Sequence, residues 1–447
     1  MFISKYLKTL DLARFRRLLK EGSWVVFGQV VAFSGALAQV KILTEYLEPS
    51  QYGQLALGLT IATLINQSVM AGVTPGIGRF YAVAAERNDT SAYMYASQKM
   101  MSLATLFVIF LAFVLVGILI FLDYEIWICL TLAAFAYAIF SAYSGAVSSV
   151  QNAARQRSVV AIHNGLNAWL MIGLAVLCLI WLGSTSASVA IGFAISTLLI
   201  TSSQLIFLRR LIGPWYLNKE GLLHNNWSKE IWTYSTPFLI WGLFGWAQQS
   251  SSRWALGLYS STSDVGFFAV LSQLGYAPLV LLTTLSLTFL TPILFARAGD
   301  ATDTVRNANV SILMIRMILG GIFIAISATT FTYFFHEQIF RFLVNEKYWL
   351  NSYYLPYMTL AGGVFSTAQV VATLPMSLNR PKKLLGPSII SSLVGIITSF
   401  VGVYYFSIQG AVSAMLIHSC TYFILCCFGA RQAQQESLER HIDEKKI

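Results

Sequence analysis

The sequence predicts an all-α polytopic membrane protein, with about twelve transmembrane helices in two pseudo-symmetric six-helix lobes around a central cavity. Three observations carry that prediction. Apolar runs of bilayer length recur along the chain, its cations cluster in alternate connections, and a motif of the first half returns in the second. Of 447 residues, 56% are hydrophobic and only 11% charged, a balance foreign to soluble domains.

The elements follow in order. Residues 1–21 are basic and amphipathic (Lys5, Lys8, Arg14, Arg16, Arg17, Lys20), so they are expected to form an interfacial cytoplasmic helix. The apolar run behind them is too long for a signal core and lacks a small-residue cleavage site, so the segment is retained. A bilayer needs about 20 apolar residues. Spans meeting that length are expected at 22–47, 52–76, 98–122, 126–150, 159–182 and 187–208, which make the first lobe, 22–208. Residues 209–232, the longest connection, are expected to be a cytoplasmic linker. The second lobe, 233–430, holds spans at 233–258, 265–295, 310–336, 353–377, 385–407 and 409–430, with 431–447 a cytoplasmic tail. The opposite connections are short, such as Asp123–Glu125, Gly183–Ser186 and Ser407–Gln409.

Of the 29 Lys and Arg residues, 24 fall in the N-terminal segment, the even connections and the tail. The positive-inside rule then places both termini in the cytoplasm of a bacterial inner-membrane protein. The formal charge of +10 is explained by that topology and by anionic headgroups, and no nucleic-acid motif accompanies it. The five cysteines lie in or beside apolar spans, and the five histidines have no second ligand at i+3 or i+4. No metal site or cofactor is therefore expected. No connection is long enough for a catalytic domain, which argues against an enzyme such as a glycan polymerase or ligase.

An internal repeat sets the symmetry. Tyr46–Leu57 reads YLEPSQYGQLAL and Tyr259–Val270 reads YSSTSDVGFFAV, so Gly53 meets Gly266 at an offset of 213. Thr74-Pro75 precedes Arg79 and Thr291-Pro292 precedes Arg297. Pro75 and Pro292 are expected to kink their helices at the cytoplasmic exit, with Gly53 and Gly266 at the far end of the same helices. Gly and Pro are also ordinary punctuation of helix ends. Six spans per half make the repeat parallel, about an axis along the membrane normal.

Charges within the spans point to a site. Lys41 lies near the outer end of span 1, and Arg253 in the matching part of span 7. A cation at bilayer depth costs about 2.5–3.5 kcal/mol and usually faces a cavity or a partner. A pair of them facing a cavity would attract an anion such as a diphosphate. The alternatives are snorkelling to the outer headgroups or, for Lys41, pairing with Glu45 at i+4. Gln29 and Gln39 in span 1, Asn66 and Gln67 in span 2, and Gln248 and Gln249 with Ser250–Ser252 in span 7 would line such a cavity. Arg79, Arg297 and Arg316 stand near the cytoplasmic rim, as entry contacts or as interface anchors. No Asp or Glu lies deep in any span, whereas a cation/proton antiporter normally needs a buried carboxylate.

LTEYLEPSQYGQLAL and AGVTPGIGRFYA in the first half, and LYSSTSDVGFFAVLSQLGYAPLVLLTTL, TPILFARAG and SLNRPKKLLGPS in the second, resemble the polysaccharide flippases of the multidrug/oligosaccharidyl-lipid/polysaccharide exporter superfamily. The resemblance covers nearly the whole chain. It implies a transporter of the O-antigen type, moving undecaprenyl-diphosphate-linked oligosaccharide to the outer leaflet for surface polysaccharide or lipopolysaccharide assembly. Its partners would be that lipid-linked substrate, membrane lipids and other polysaccharide-assembly membrane proteins. It implies a headgroup site at Lys41 and Arg253, with Arg79 and Arg297 as entry contacts. A drug or metabolite exporter of the same superfamily is the alternative. Lipid II flippases usually carry two further C-terminal spans beyond the twelve read here.

Overall fold

The computed structural model describes residues 12–212, 226–298, 304–378 and 380–444. Among them every regular element is helical, as apolar runs in a bilayer require, since only internal hydrogen bonding can satisfy the backbone there. Helix α1 is Leu12–Tyr46, α2 Pro49–Gln67, α3 Thr74–Glu86, α4 Thr90–Phe121, α5 Ile128–Ala153, α6 Arg157–Leu182 and α7 Ser186–Ile212. The second half holds α8 Trp227–Tyr259, α9 Thr262–Leu271, α10 Ala277–Ala298, α11 Thr304–Leu343, α12 Leu355–Ser377 and α13 Leu385–Glu444.

Among the described residues, ten stretches are long and apolar enough to cross a membrane. Two further spans bring this to the expected twelve. One is α8, whose Gln248–Arg253 stretch dilutes an otherwise apolar helix. The other lies inside α13, which folds back at Ser407 (φ 50°, ψ −128°), a single left-handed residue between two limbs. Asp264 fixes that bend: its carboxylate accepts from Ser260, from Ser261 at 3.0 Å and from Ser407 at 3.4 Å. Ser261 in turn caps α9 by accepting from the Asp264 N–H at 3.1 Å.

Helices outrun the apolar runs because hydrogen bonding continues past the bilayer. The interfacial segment expected at 1–21 is helical from Leu12 and continuous with span 1, and its residues 1–11 lie outside the described residues. Of the linker expected at 209–232, residues 213–225 lie outside them too. The expected tail continues the helix to Glu444.

The two expected proline kinks part ways. After α2 ends at Gln67, a 3₁₀ turn covers Met70–Gly72 and α3 begins at Thr74. Pro75 therefore sits in a first turn, where its missing N–H costs nothing. It starts a helix rather than bending one. In α10 the helix runs through position 292 without a break, and the irregularity comes earlier, as one π turn at Ser272–Tyr276.

The chain divides into two compact units. Unit 1 is Met1–Ile42 with Gly58–Leu243, and unit 2 is Leu43–Leu57 with Phe244–Ile447. Helices α1, α2 and α8 thus each contribute to both units, whereas the lobes expected from sequence follow chain order.

Unit 1 buries Ala138, Ala142 and Ala146 of α5 against Ile65, Tyr93 and Trp227. Small residues let membrane helices approach, where packing rather than hydrophobicity drives association. Gly242 of α8 extends that rule, since a Cβ there would stand 1.9 Å from the carbonyl oxygen of Gln67. Trp227 donates to Asp89 at 2.7 Å, and Arg87 lies over its ring at 5.3 Å. Unit 2 buries Val310 and Met314 of α11 against Ala368, Leu374 and Cys426.

Candidate functional site

The repeat motif is a contact. A Cβ on Gly53 would stand 1.7 Å from the carbonyl oxygen of Thr262, and one on Gly266 would stand 2.1 Å from that of Pro49. Pro49 and Thr262 are themselves related by the offset of 213. Each copy thus receives the carbonyl of the other, the reciprocity of a two-fold contact. Within unit 2, α2 and α9 begin backbone against backbone, and only glycine leaves room.

Arg253 stands beside this contact in unit 2. The buried Tyr52, one residue before Gly53, interacts with it electrostatically. The Tyr52 ring meets Tyr348 edge-on at 5.9 Å, and Tyr348 meets Phe267 at 5.8 Å. Tyr348 is anchored by donating to the Leu47 carbonyl at 3.1 Å. Asn345 donates to Glu45 at 2.7 Å, and Lys347 to Glu48 at 2.6 Å. Those ties hold the residue 43–57 segment onto unit 2. Arg253 itself is half-buried, and its Nε is a buried donor that meets no acceptor among the described residues. A buried guanidinium N–H without a partner is costly and calls for an explanation, a ligand among them. Tyr52 escaped the sequence reading, although it lies inside the repeat motif.

The other expected site residues are distributed as follows. Lys41 is half-buried on α1 and belongs to unit 1. Gln29 and Gln39 share that helix and are half-buried as well. Asn66 donates to Ser141 at 2.9 Å, while its buried Oδ1 meets no donor among the described residues. Gln67 is half-buried, with its carbonyl turned to Gly242. Gln248 packs with His418 around Gly395, and Gln249 is exposed. Arg79, Arg297 and Arg316 are all exposed. Two serines of span 7 face a neighbouring helix. Ser251 and Ser252 are buried and reach Ser399 of α13 at 3.0 and 2.9 Å. They join helices, the common use of hydroxyls between membrane spans.

A mainly apolar hollow edged with hydroxyls lies elsewhere in unit 2, and the sequence reading did not single it out. Two adjoining cavities, of about 170 and 650 Å³, share Thr283, Leu287 and Ser366 in their walls. Helix α10 lines them from Leu279 to Phe295, a length of about 24 Å at the helical rise. Helix α12 supplies Ser366, Thr367 and Gln369, and α11 supplies Gly320 and Gly321. No charged side chain lines either cavity among the described residues. The available signal was the spacing of Thr283, Thr284, Ser286, Thr288 and Thr291 in an apolar run, which hydroxyls barely interrupt. Unit 1 has a hollow of about 370 Å³, but it is apolar, between Met100, Phe107, Trp232 and Leu239.

Residues 18–297 match the family model described as polysaccharide biosynthesis protein. Three solved structures share the fold at 12–13% identity. A lipid II flippase, MurJ in an inward closed conformation, has a TM-score of 0.69, with 95% of this chain and 92% of that chain covered at 13% identity. An inward-facing multidrug resistance MATE transporter of the MOP superfamily has 0.67, with 92% and 95% covered at 13% identity. A MOP superfamily transporter from Pyrococcus furiosus, noted for the reverse polarity of its binding pocket, has 0.64, with 93% and 96% covered at 12% identity. No curated protein sequence matches the chain. The flippase and the multidrug transporter thus share the fold of this chain to a similar degree.

Proposed function

The chain belongs to the polysaccharide biosynthesis protein family, and from that premise we propose that it carries a polyprenyl-diphosphate-linked oligosaccharide from the inner to the outer leaflet of the cytoplasmic membrane. Transport runs by alternating access, with both termini cytoplasmic. Arg253 carries this reading: a guanidinium at bilayer depth, with a buried Nε that has no acceptor among the described residues. A planar fork of donors suits a diphosphate, which offers only acceptors. Lys41 adds a second cation, and Arg79, Arg297 and Arg316, exposed towards the predicted cytoplasmic end, attract the headgroup first. An inside-negative potential favours outward movement of an anion by about 2.3 kcal/mol per charge per 100 mV. The prenyl chain stays in lipid.

The test is leaflet exchange of a fluorescent polyprenyl-diphosphate oligosaccharide in proteoliposomes of the purified protein. Arg253→Ala is expected to slow it by about ten- to a hundredfold, the worth of one charge-assisted contact. Arg253→Lys, which keeps the charge and loses the fork, falls between. Normal exchange by a folded Arg253→Ala protein refutes the assignment. The fold shared with a multidrug transporter supports a second reading, export of a small molecule, and failure to move any lipid-linked sugar while a soluble dye is moved decides for it.

A further inference from the structure

The hydroxyl-lined hollow of unit 2 has a chemical bias that its composition alone does not reveal. Thr284 donates its proton to the Val280 carbonyl at 2.9 Å, Ser286 to that of Leu282 at 2.9 Å, and Thr288 to that of Thr284 at 2.9 Å. On the facing helix Thr367 donates to the Gly363 carbonyl at 2.8 Å. Each hydroxyl has one proton and two acceptor sites. With the proton committed to its own helix, each oxygen offers the hollow only acceptors.

With no cation in the lining among the described residues, the hollow leaves a diphosphate's charge uncompensated, and it suits an uncharged ligand whose hydroxyls donate to these oxygens. Ser366, which lines both cavities, keeps its proton for the hollow, as do Thr283, Thr291 and the Gln369 amide, none of which is tied to its own helix among the described residues. Ser366 is 5% exposed, and its Oγ meets no partner among the described residues. A buried hydroxyl without a partner is destabilising on its own, and a ligand hydroxyl that accepts from and donates to it removes the cost. A cation is disfavoured, because no carboxylate lines either cavity among the described residues. Room is also provided: Gly320 lines the smaller cavity, and a Cβ there would meet nothing within 4 Å.

We propose that this hollow is the glycan subsite of unit 2, holding uncharged sugar hydroxyls along α10 and α12 and excluding the diphosphate. The proposal rests on the transport reading above, and it assigns the two ends of one substrate to different residues: the diphosphate to Arg253 and the neutral sugars to the uncharged, hydroxyl-bearing hollow.

The experiment measures binding of two probes to the full-length protein in lipid nanodiscs by intrinsic tryptophan fluorescence. One probe is a free neutral hexose oligosaccharide, and the other is a bare polyprenyl diphosphate. Gly320→Leu fills the hollow and is expected to weaken the oligosaccharide by about tenfold or more, the loss of two or more hydrogen bonds. Ser366→Ala is expected to weaken it about fivefold, the worth of one. Both leave the diphosphate probe unchanged. Arg253→Ala does the reverse. Thermal unfolding of each variant, with Gly320→Ala as a control that adds a methyl without filling the hollow, verifies that the fold persists. The subsite is overturned if Gly320→Leu is folded and binds the oligosaccharide normally, or if the bare diphosphate competes with the oligosaccharide in the wild type. Oligosaccharide binding that obeys these rules in a protein that ignores the diphosphate upholds the subsite and refutes the transport reading instead.

Discussion

Replacing Gly53 with alanine puts a methyl carbon 1.7 Å from the Thr262 carbonyl oxygen. Ordinary contact begins at 3.4 Å, so α2 and α9 would have to part by about 1.7 Å or bend. Nothing flexible can give way, since the obstructing atoms are main chain. Overpacking of this kind costs about 1–3 kcal/mol, and main-chain obstruction belongs at the upper end. Alanine recovers about 1 kcal/mol of helix propensity over glycine, which leaves a net loss of about 2 kcal/mol. The assay is equilibrium unfolding of the detergent-purified protein, with Gly145→Ala as the reference. A methyl at Gly145 meets nothing within 4 Å, so that change is neutral or stabilising by up to about 1 kcal/mol. Gly266→Ala presses on the Pro49 carbonyl from the other side, at 2.1 Å. Because one separation relieves both clashes, the double variant should lose less than the sum of the two single losses. A Gly53→Ala protein as stable as the Gly145→Ala reference would refute the reciprocal contact.

Three further predictions concern stability. Ser399→Ala strips the shared partner from Ser251 and Ser252, both buried, and should cost about 1–2 kcal/mol in the same unfolding assay. Trp227→Phe keeps the edge-on ring contact with Tyr93 at 5.7 Å but removes the N–H that reaches Asp89 at 2.7 Å, a loss of about 1–3 kcal/mol. Glu436 accepts from Lys383 at 2.5 Å and pairs with Arg380 at 3.6 Å. The Lys383 hydrogen bond and the two positive charges hold its carboxyl below its ordinary value of 4.5. Its stabilisation is therefore full above about pH 4.5 and is lost as pH falls through the lower folded value. Glu436→Gln should flatten that acid limb by lowering the pH 7 midpoint to the acid value, a small drop for an exposed pair.

The spans were legible because a bilayer imposes both a length and a polarity, and because cations mark the connections. The repeat was legible in Gly53 and Gly266, yet reading it as the far end of kinked helices gave no hint that the two glycines touch. The same Thr-Pro pair precedes Arg79 and Arg297 but starts a helix at Pro75 and leaves one unbroken through position 292. Local sequence offers the backbone both outcomes, and packing chooses. Ser251 and Ser252 announced polarity in a membrane helix, but polarity does not say whether it faces a ligand or another helix, and Ser399 answered that. Thr284 and Thr288 escaped attention for the converse reason, since a hydroxyl bonded to its own helix hardly lowers the apolar character of a run.

The carboxylate of Glu436 has a mechanical meaning. Arg380 follows the end of α12, Lys383 precedes α13, and Glu436 lies well past Ser407 on the far limb of that helix. One side chain therefore pins three rods at a common end, like the apex of a tripod. Legs joined there can splay only at their feet, so a tilt imposed on α12 is shared with both limbs of α13. Exposed ion pairs are individually weak and screened by solvent, which makes the apex a detent rather than a weld. It resists small tilts, yields to larger ones, and recloses when they pass.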